Sequence, residues 1–319
     1  MKLALIGYGN AARALVRLLR QKRREFPFTI TGIHTLRHGT AVDARGLQPD
    51  PPMGPRAASI EEFLDAAAAQ VAVELTTLNP STGEPAISHI RAAFARGMHV
   101  VTANKGPLAH AYAALRDEAA RSGVAFRFEA AAMDGAPVFN LWRHGMPGVA
   151  VDGFTGALNS TSKVVVETME QGGSFEEGLA RARAMGITEA GGAYDIEGWD
   201  SAAKTAALAN VLMDARTTPQ QVSTRGIARL TPARVQELAQ KGKTVRLISR
   251  GKRTGSRLSL RVRAEVLDRC DILACTPGTS NIILFHTDLM GTFGTVSIDP
   301  QVEQTAYGVF SDLADLATV

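Results

Sequence analysis

The chain has 319 residues, enough for two domains and a sizeable core. With 45% hydrophobic and 21% charged residues it has an ordinary globular balance, which argues against disorder. A net charge of only +4, with basic residues scattered, argues against a nucleic-acid surface.

The first element is a short apolar strand over residues 2–6. No charged n-region, apolar h-region or cleavage site precedes it, and no apolar run reaches membrane-spanning length, so a soluble, cytoplasmic protein is expected. Gly7-Tyr-Gly9-Asn10-Ala11-Ala12-Arg follows and leads into a run of helical periodicity. Strand, glycine turn and helix are the context in which G-x-G-x-x-A reads as a dinucleotide site. Gly7 permits the tight turn, Gly9 lets backbone approach a pyrophosphate, and Ala12 keeps helix close to strand. The helix N-terminus then offers free N–H groups to phosphate. The densest basic cluster, Arg17-Leu-Leu-Arg20-Gln-Lys22-Arg23-Arg24, falls at the end of this helix, where cations suit the dipole.

A second strand, Phe28 to His34, ends in His34-Thr-Leu-Arg37-His38. An NAD-selective site usually carries an acid there; its absence, with Arg37 able to meet a 2′-phosphate, leans towards NADP. Residues 47–57 are proline-rich and read as a surface loop. Then come a helix over 59–69, a strand at Val71–Leu75, a helix over 85–96, a strand at His99–Thr102, a helix over 108–122 and a strand at Val124–Glu129. That alternation predicts a doubly wound parallel sheet.

After Gly135 the pattern changes. Residues 150–158 and 258–267 read as strands, 161–171, 175–185 and 200–214 as helices, and 241–250 as a helix running into another apolar segment. A last helix around Thr305 to Leu316 is expected to pack on the first domain. The expected architecture is α/β: a Rossmann domain over residues 1–134 completed by helix 303–319, and a second α/β domain over 135–302. There are no internal repeats or low-complexity segments. Cys270 and Cys275 lie five apart without metal-site spacing, which fits a reducing compartment.

Three segments carry chemistry. Strand His99-Val-Val-Thr102 runs into Ala103-Asn104-Lys105-Gly106-Pro107, placing Lys105 beyond the carboxyl end of a strand, where such sheets bind ligands. Gly156-Ala-Leu-Asn159-Ser160-Thr161-Ser162-Lys163 turns from strand into helix and offers small hydroxyls and a helix N-terminus suited to a carboxylate. The run from Glu189 to Lys204 holds four acids and one lysine among glycines and small residues. Asp200 and Lys204 stand four apart on a predicted helix and share one face. Spacing alone leaves open whether they form a plain helix ion pair or a site.

Together these residues resemble the homoserine dehydrogenase family, in particular its short form without a C-terminal regulatory domain. The resemblance is colinear over nearly the whole chain. Gly7-Tyr-Gly-Asn-Ala-Ala-Arg is similar to the family's nucleotide loop, and Val100-Val-Thr-Ala-Asn-Lys105-Gly-Pro-Leu to its lysine motif. Glu129-Ala opens, and Gly135-Ala-Pro137 closes, its metal-loop motif. Leu158-Asn159 with Thr161 resembles its Asn-Gly-Thr-Thr-Asn segment. Gly186-Ile-Thr-Glu189, Tyr194-Asp195-Ile-Glu-Gly198-Trp-Asp200 and Lys204 match its longest signature. Gly226-Ile, Thr231-Pro232, Phe285-His-Thr-Asp288, Thr305-Ala and Ser311-Asp312-Leu313 resemble its closing segments.

The resemblance implies a Rossmann domain, an α/β substrate and dimerisation domain, and a homodimer. It implies hydride transfer between aspartate 4-semialdehyde and homoserine with NADP or NAD. Lys105 and Lys204 would donate a proton to the carbonyl oxygen, and Asp200 would support Lys204. Glu189 and Asp195 would hold the substrate amine, with Asn159 and Thr161 also at the substrate. The nucleotide would touch Gly7, Gly9, Asn10, Ala11, Ala12, Arg37, Thr76 and Lys105. Glu129, with Ala132, Asp134 and Ala136, would surround a monovalent cation such as sodium.

The chain departs from the family pattern at Asp134, Ser160, Lys163, Ile187, Gly191, Gly192 and Asp299 with Pro300. Clustered near the substrate, such changes imply altered substrate handling. The alternatives are therefore a paralogue acting on another small hydroxy acid or aldehyde, or a nucleotide-binding sensor without turnover. Retention of Lys105, Asp200 and Lys204 argues against the sensor.

Overall fold

In the computed structural model, residues 1–188 and 192–318 are described; Glu189 and Gly191 of the sequence-predicted set lie outside them. The chain divides into two units, Met1–Asn140 with Gln301–Val319, and Leu141–Pro300.

The first unit is built on a six-stranded sheet. β1 (Lys2–Ile6) is central, flanked by β2 (Thr29–Thr35) and β4 (Val71–Glu74), and the order is completed by β3 (Gly39–Val42), β5 (His99–Thr102) and β6 (Phe126–Arg127) as β3-β2-β1-β4-β5-β6. All pairs are parallel except the β2–β3 hairpin. Apolar runs such as Leu3-Ala-Leu-Ile6 suit strands buried on both faces. The helices are α1 (Asn10–Gln21), α2 (Ile60–Ala67), α3 (Ala86–Phe94), α4 (Lys105–Arg121) and a short α5 (Ala130–Met133). The last helix, here α11 (Val302–Thr318), returns to this unit, where Val309, Phe310 and Leu313 share a core with Leu3, Leu15, Ile33 and Val73.

Backbone contact inside this unit explains two glycines. Gly7 has φ +98°, and a Cβ there would stand 2.6 Å from the Leu75 carbonyl oxygen. Gly135 lies against α11, where a Cβ would stand 2.1 Å from the Gln304 carbonyl oxygen. Neither position admits a side chain without moving backbone.

The second unit has a sheet ordered β12-β11-β7-β9-β10-β8, from β7 (Val151–Ala157), β8 (Ser223–Arg225), β9 (Lys243–Thr254), β10 (Arg257–Asp268), β11 (Asn281–Thr287) and β12 (Gly291–Ser297). Its helices are α6 (Ser160–Glu170), α7 (Phe175–Ala184), α8 (Ala193–Glu197), α9 (Trp199–Met213) and α10 (Pro232–Gln240). Two sequence expectations need correction. The helix expected over 241–250 is strand β9. Gly242, at φ +71°, ends α10, and Thr244-Val-Arg-Leu-Ile-Ser249 is buried on both faces between β7 and β10. Burial on both faces removes the alternation by which a strand is read from sequence. The helix expected over 108–122 starts earlier: α4 begins at Lys105, because the Asn104 side chain caps it by accepting from Gly106 N at 2.9 Å. Pro107 is tolerated there, since first-turn N–H groups lack intrahelical partners.

Leu313 is fully buried in the core of the first unit. Leu313→Ala should therefore lower stability by about 2–5 kcal/mol, read from urea unfolding. A loss below roughly 1 kcal/mol would show that α11 contributes little to that core.

Candidate active site

In the first unit a candidate nucleotide site is assembled at the carboxyl ends of β1, β4 and β5. Gly7 N donates to His34 O at 2.8 Å, fixing the turn after β1. Gly9 is the N-cap of α1, and no side chain caps the helix. A Cβ at Gly9 would meet nothing within 4 Å, so the first turn of α1 faces open space. Gly9 and Asn10 are exposed, Ala11 is half-buried and Ala12 is buried. Uncapped N–H groups beside a space that glycine keeps clear fit a pyrophosphate.

Thr76 follows β4, and its position depends on Glu74, a residue not singled out from sequence. Glu74 is fully buried, and its carboxylate accepts from Thr76 Oγ1, from Thr76 N at 3.0 Å and from Thr102 Oγ1 at 2.9 Å. Asn104 N donates to Thr102 Oγ1 at 3.0 Å, and Asn104 Nδ2 donates to the Thr76 carbonyl at 3.1 Å. One buried carboxylate thus ties the ends of β4 and β5 together and sets the start of α4, where Lys105 stands half-buried. The sequence signal was an acid ending an otherwise apolar strand, Val71-Ala-Val-Glu74.

In the second unit a candidate polar site lies between the end of β7 and the start of α9. Asn159 caps α6 by accepting from Ser162 N at 2.8 Å. Its Nδ2 donates to Asp195 Oδ1 at 2.7 Å and to Asp200 Oδ2 at 3.0 Å. Lys204 Nζ pairs with Asp200 Oδ2 at 3.4 Å and donates to the Leu158 carbonyl at 2.6 Å. Asp195 and Asp200 are 2% and 3% exposed, so this is no solvated helix pair. Four of the sequence-predicted residues therefore meet. Thr161 is nearby but turned aside: its hydroxyl donates to Ile187 O at 3.1 Å.

Asp134, Ser160, Lys163 and Asp299, four of the departures, have polar partners within their own units. In the second unit, Ser160 Oγ donates to Thr279 O at 2.8 Å, and Lys163 Nζ donates to Ser280 O and to Thr276 Oγ1 at 3.4 Å. Asp299 N donates to Ser280 Oγ at 3.0 Å, and Asp299 Oδ1 accepts from Thr279 Oγ1 at 2.6 Å. Ser160, Lys163 and Asp299 are thus one linked set that ties α6 to the segment before β11. Gly192, at φ +95°, leaves room for Leu179, which a Cβ would meet at 2.6 Å.

The expected cation loop is arranged for another purpose. Glu129 accepts from Val138 N at 2.5 Å, Phe139 N at 3.1 Å and Asn140 N. Glu129 N donates to Asp312 Oδ2 at 2.7 Å, and Asp134 Oδ1 accepts from Thr305 Oγ1 at 3.1 Å. Carboxylate oxygens already facing three N–H donors fit a cation poorly. Among the described residues, no group of three or more His, Cys, Asp or Glu could hold a metal ion. Ala132 is buried and Ala136 half-buried in the same stretch.

A dinucleotide-binding sheet joined to an α/β unit carrying a buried lysine–carboxylate cluster defines an NAD(P)-dependent oxidoreductase. Family models described as "Homoserine dehydrogenase" and "Homoserine dehydrogenase, NAD binding domain" match residues 137–314 and 7–129. The chain belongs to the homoserine dehydrogenase family. It is 32% identical to an NAD(+)-dependent homoserine dehydrogenase of Pseudomonas canavaninivorans, over 98% of this chain and 95% of that one. It is also 32% identical to a homoserine dehydrogenase of Methanocaldococcus jannaschii, over 98% and 97%. The structure of a homoserine dehydrogenase from Thiobacillus denitrificans aligns at TM-score 0.85 and 26% identity, over 99% of this chain and 73% of that one. That from Thermoplasma acidophilum shares the fold at TM-score 0.88 and 24% identity, over 100% and 99%.

Lys163 is 2% exposed, and its pKa is lowered from 10.5 to about 8 by burial, then by Arg246, against Glu167. Below pH 8 folded and unfolded chains both carry this proton, and the cost of burying the charge is present in full. As pH rises from about 8 towards 10.5, the folded chain is the first to lose it, so stability rises. Between pH 7.5 and 9.5 the wild type should gain about 2 kcal/mol over Lys163→Met in urea unfolding. Parallel pH profiles for the two proteins would contradict this.

Proposed function

We propose that the chain interconverts L-homoserine and L-aspartate 4-semialdehyde with NAD(P). The observation that carries the reading is the closed set Asn159–Asp195–Asp200–Lys204. When bound, the nicotinamide supplies or accepts the hydride. Reducing an aldehyde builds negative charge on its oxygen, and a placed ammonium stabilises and protonates it. Lys204 donates one N–H to the Leu158 carbonyl and forms an ion pair with Asp200, which leaves an N–H of its ammonium for a substrate. That N–H is one candidate proton donor to substrate oxygen. Asp195 holds the substrate ammonium, and the family resemblance adds Glu189 to that role. A single proton is transferred to that oxygen, and Lys105 is the other candidate to donate it. No step is routed through a cation at Glu129.

The NADP preference expected from Arg37 rests on an exposed side chain after β2. Selective loss of NADPH binding in Arg37→Ala would support that preference; equal loss of NADH and NADPH would count against it, and the Asp50 carboxylate lining the cavity at the end of β2 opposes it. A homodimer and a cytoplasmic location belong to the same family reading. Exposed Val266, Leu289, Met290 and Val296 in the second unit support the dimer, and sedimentation would test it. Among the described residues, no helix is long and apolar enough to cross a membrane.

The decisive assay is NAD(P)H oxidation with aspartate semialdehyde beside other small aldehydes. The reading expects aspartate semialdehyde to be preferred; turnover of another aldehyde alone would overturn it. Lys204→Ala should lower kcat by about 10²–10⁴-fold with nucleotide affinity nearly unchanged, and Lys105→Ala should also lower kcat. Near-wild-type turnover in both would remove their proposed roles.

A further inference from the structure

The end of β2 supplies no acid, yet a carboxylate stands beside it. A cavity of about 240 Å³ in the first unit is lined by Tyr8, Arg13, Thr35, His38 and Asp50, among others. Tyr8 lies between the two motif glycines, Arg13 lies in the first turn of α1, and Thr35 ends β2. In dinucleotide-binding sheets this is where the adenine ribose lies, and where an acid takes the ribose hydroxyls or a cation takes a 2′-phosphate. Here the acid comes from the proline-rich loop.

Asp50 is held deliberately. Its backbone is left-handed, at φ +47°, a conformation uncommon outside glycine. Its N–H donates to the Tyr8 hydroxyl at 3.3 Å, and its carboxylate is bonded to Arg13 Nη1. The Arg13 guanidinium lies over the Tyr8 ring, 4.8 Å from its centroid. Strained backbone persists where its surroundings over-determine it, and Tyr8 and Arg13 do so here. The carboxylate is still 64% exposed, so it retains acceptor capacity towards a ligand. The same pairing neutralises Arg13, the cation best placed for a phosphate.

We propose that Asp50 is the specificity-determining acid of the nucleotide site. It accepts the hydroxyls of the adenine ribose and repels a 2′-phosphate, so the chain prefers NAD(H) to NADP(H). The inference rests on the dinucleotide-binding reading of this unit. Removing Asp50 turns a neutral pair into a lone cation, and the preference then moves towards the phosphorylated nucleotide.

The test is titration of the protein with NADH and with NADPH, without aldehyde, followed by nicotinamide fluorescence. The wild type should bind NADH more tightly. Asp50→Ala should weaken NADH by about tenfold and tighten NADPH, and Arg13→Ala added to it should abolish that gain. Asp50→Asn, which keeps an acceptor and loses the charge, should relieve NADPH exclusion while keeping part of the NADH affinity. It carries the same test if Asp50→Ala does not fold. Tighter NADPH binding by the wild type, or equal effects of Asp50→Ala on both nucleotides, would overturn the proposal. Binding of neither nucleotide would overturn the dinucleotide reading as well.

Discussion

One amide organises the chemistry of the second unit. Asn159 stands where β7 ends and α6 begins, with its carbonyl oxygen used to cap α6 and its amide nitrogen shared by Asp195 and Asp200. Asp200 pairs with Lys204, and Lys204 reaches back to the carbonyl of Leu158, the neighbour of Asn159. The ring closes on itself. Burying two carboxylates and an ammonium is costly unless they are paired or hydrogen-bonded, and here the Asn159 amide reaches both acids while Lys204 pairs with Asp200. Pairing alone does not require an asparagine. Its capping role adds a second constraint, because it locks the acids to the helix start.

The nucleotide-binding unit uses the same device with a different residue. Glu74, fully buried at the end of β4, gathers Thr76 and Thr102, and Thr102 positions Asn104, which caps the helix that begins with Lys105. In both units a buried polar group at a strand end fixes a helix N-terminus, and the lysine of interest is set by that helix or by the strand end itself. Such networks are rigid when fully satisfied and costly when one member is lost.

Much of this was legible in the sequence, for physical reasons. The glycine turn after β1 and the parallel strands stand out because they combine apolar runs with turn signals. Asn159, Asp195, Asp200 and Lys204 stood out through family resemblance, whereas their spacing alone left an ordinary ion pair open. Strand β9 was misread as helix because both its faces are buried. The start of α4 was placed too late because Gly106-Pro107 imitates a loop, although the Asn104 cap begins the helix before it. The departures at Ser160, Lys163 and Asp299 read as a cluster near the substrate, because sequence does not show what each side chain bonds. Only the fold shows them as one hydrogen-bonded set. Asp50 was invisible as a ribose acid because it comes from a loop rather than from the end of β2.

The proposed role of the lysine–carboxylate ring is hydride transfer to a four-carbon amino aldehyde. The most direct measurement is to incubate the wild-type protein with aspartate semialdehyde and nicotinamide nucleotide deuterated at the transferring carbon, and to locate the label in the product by NMR. The account predicts homoserine carrying one deuterium on its hydroxyl-bearing carbon. Recovery of unreduced aldehyde with the label still on the nucleotide would contradict it.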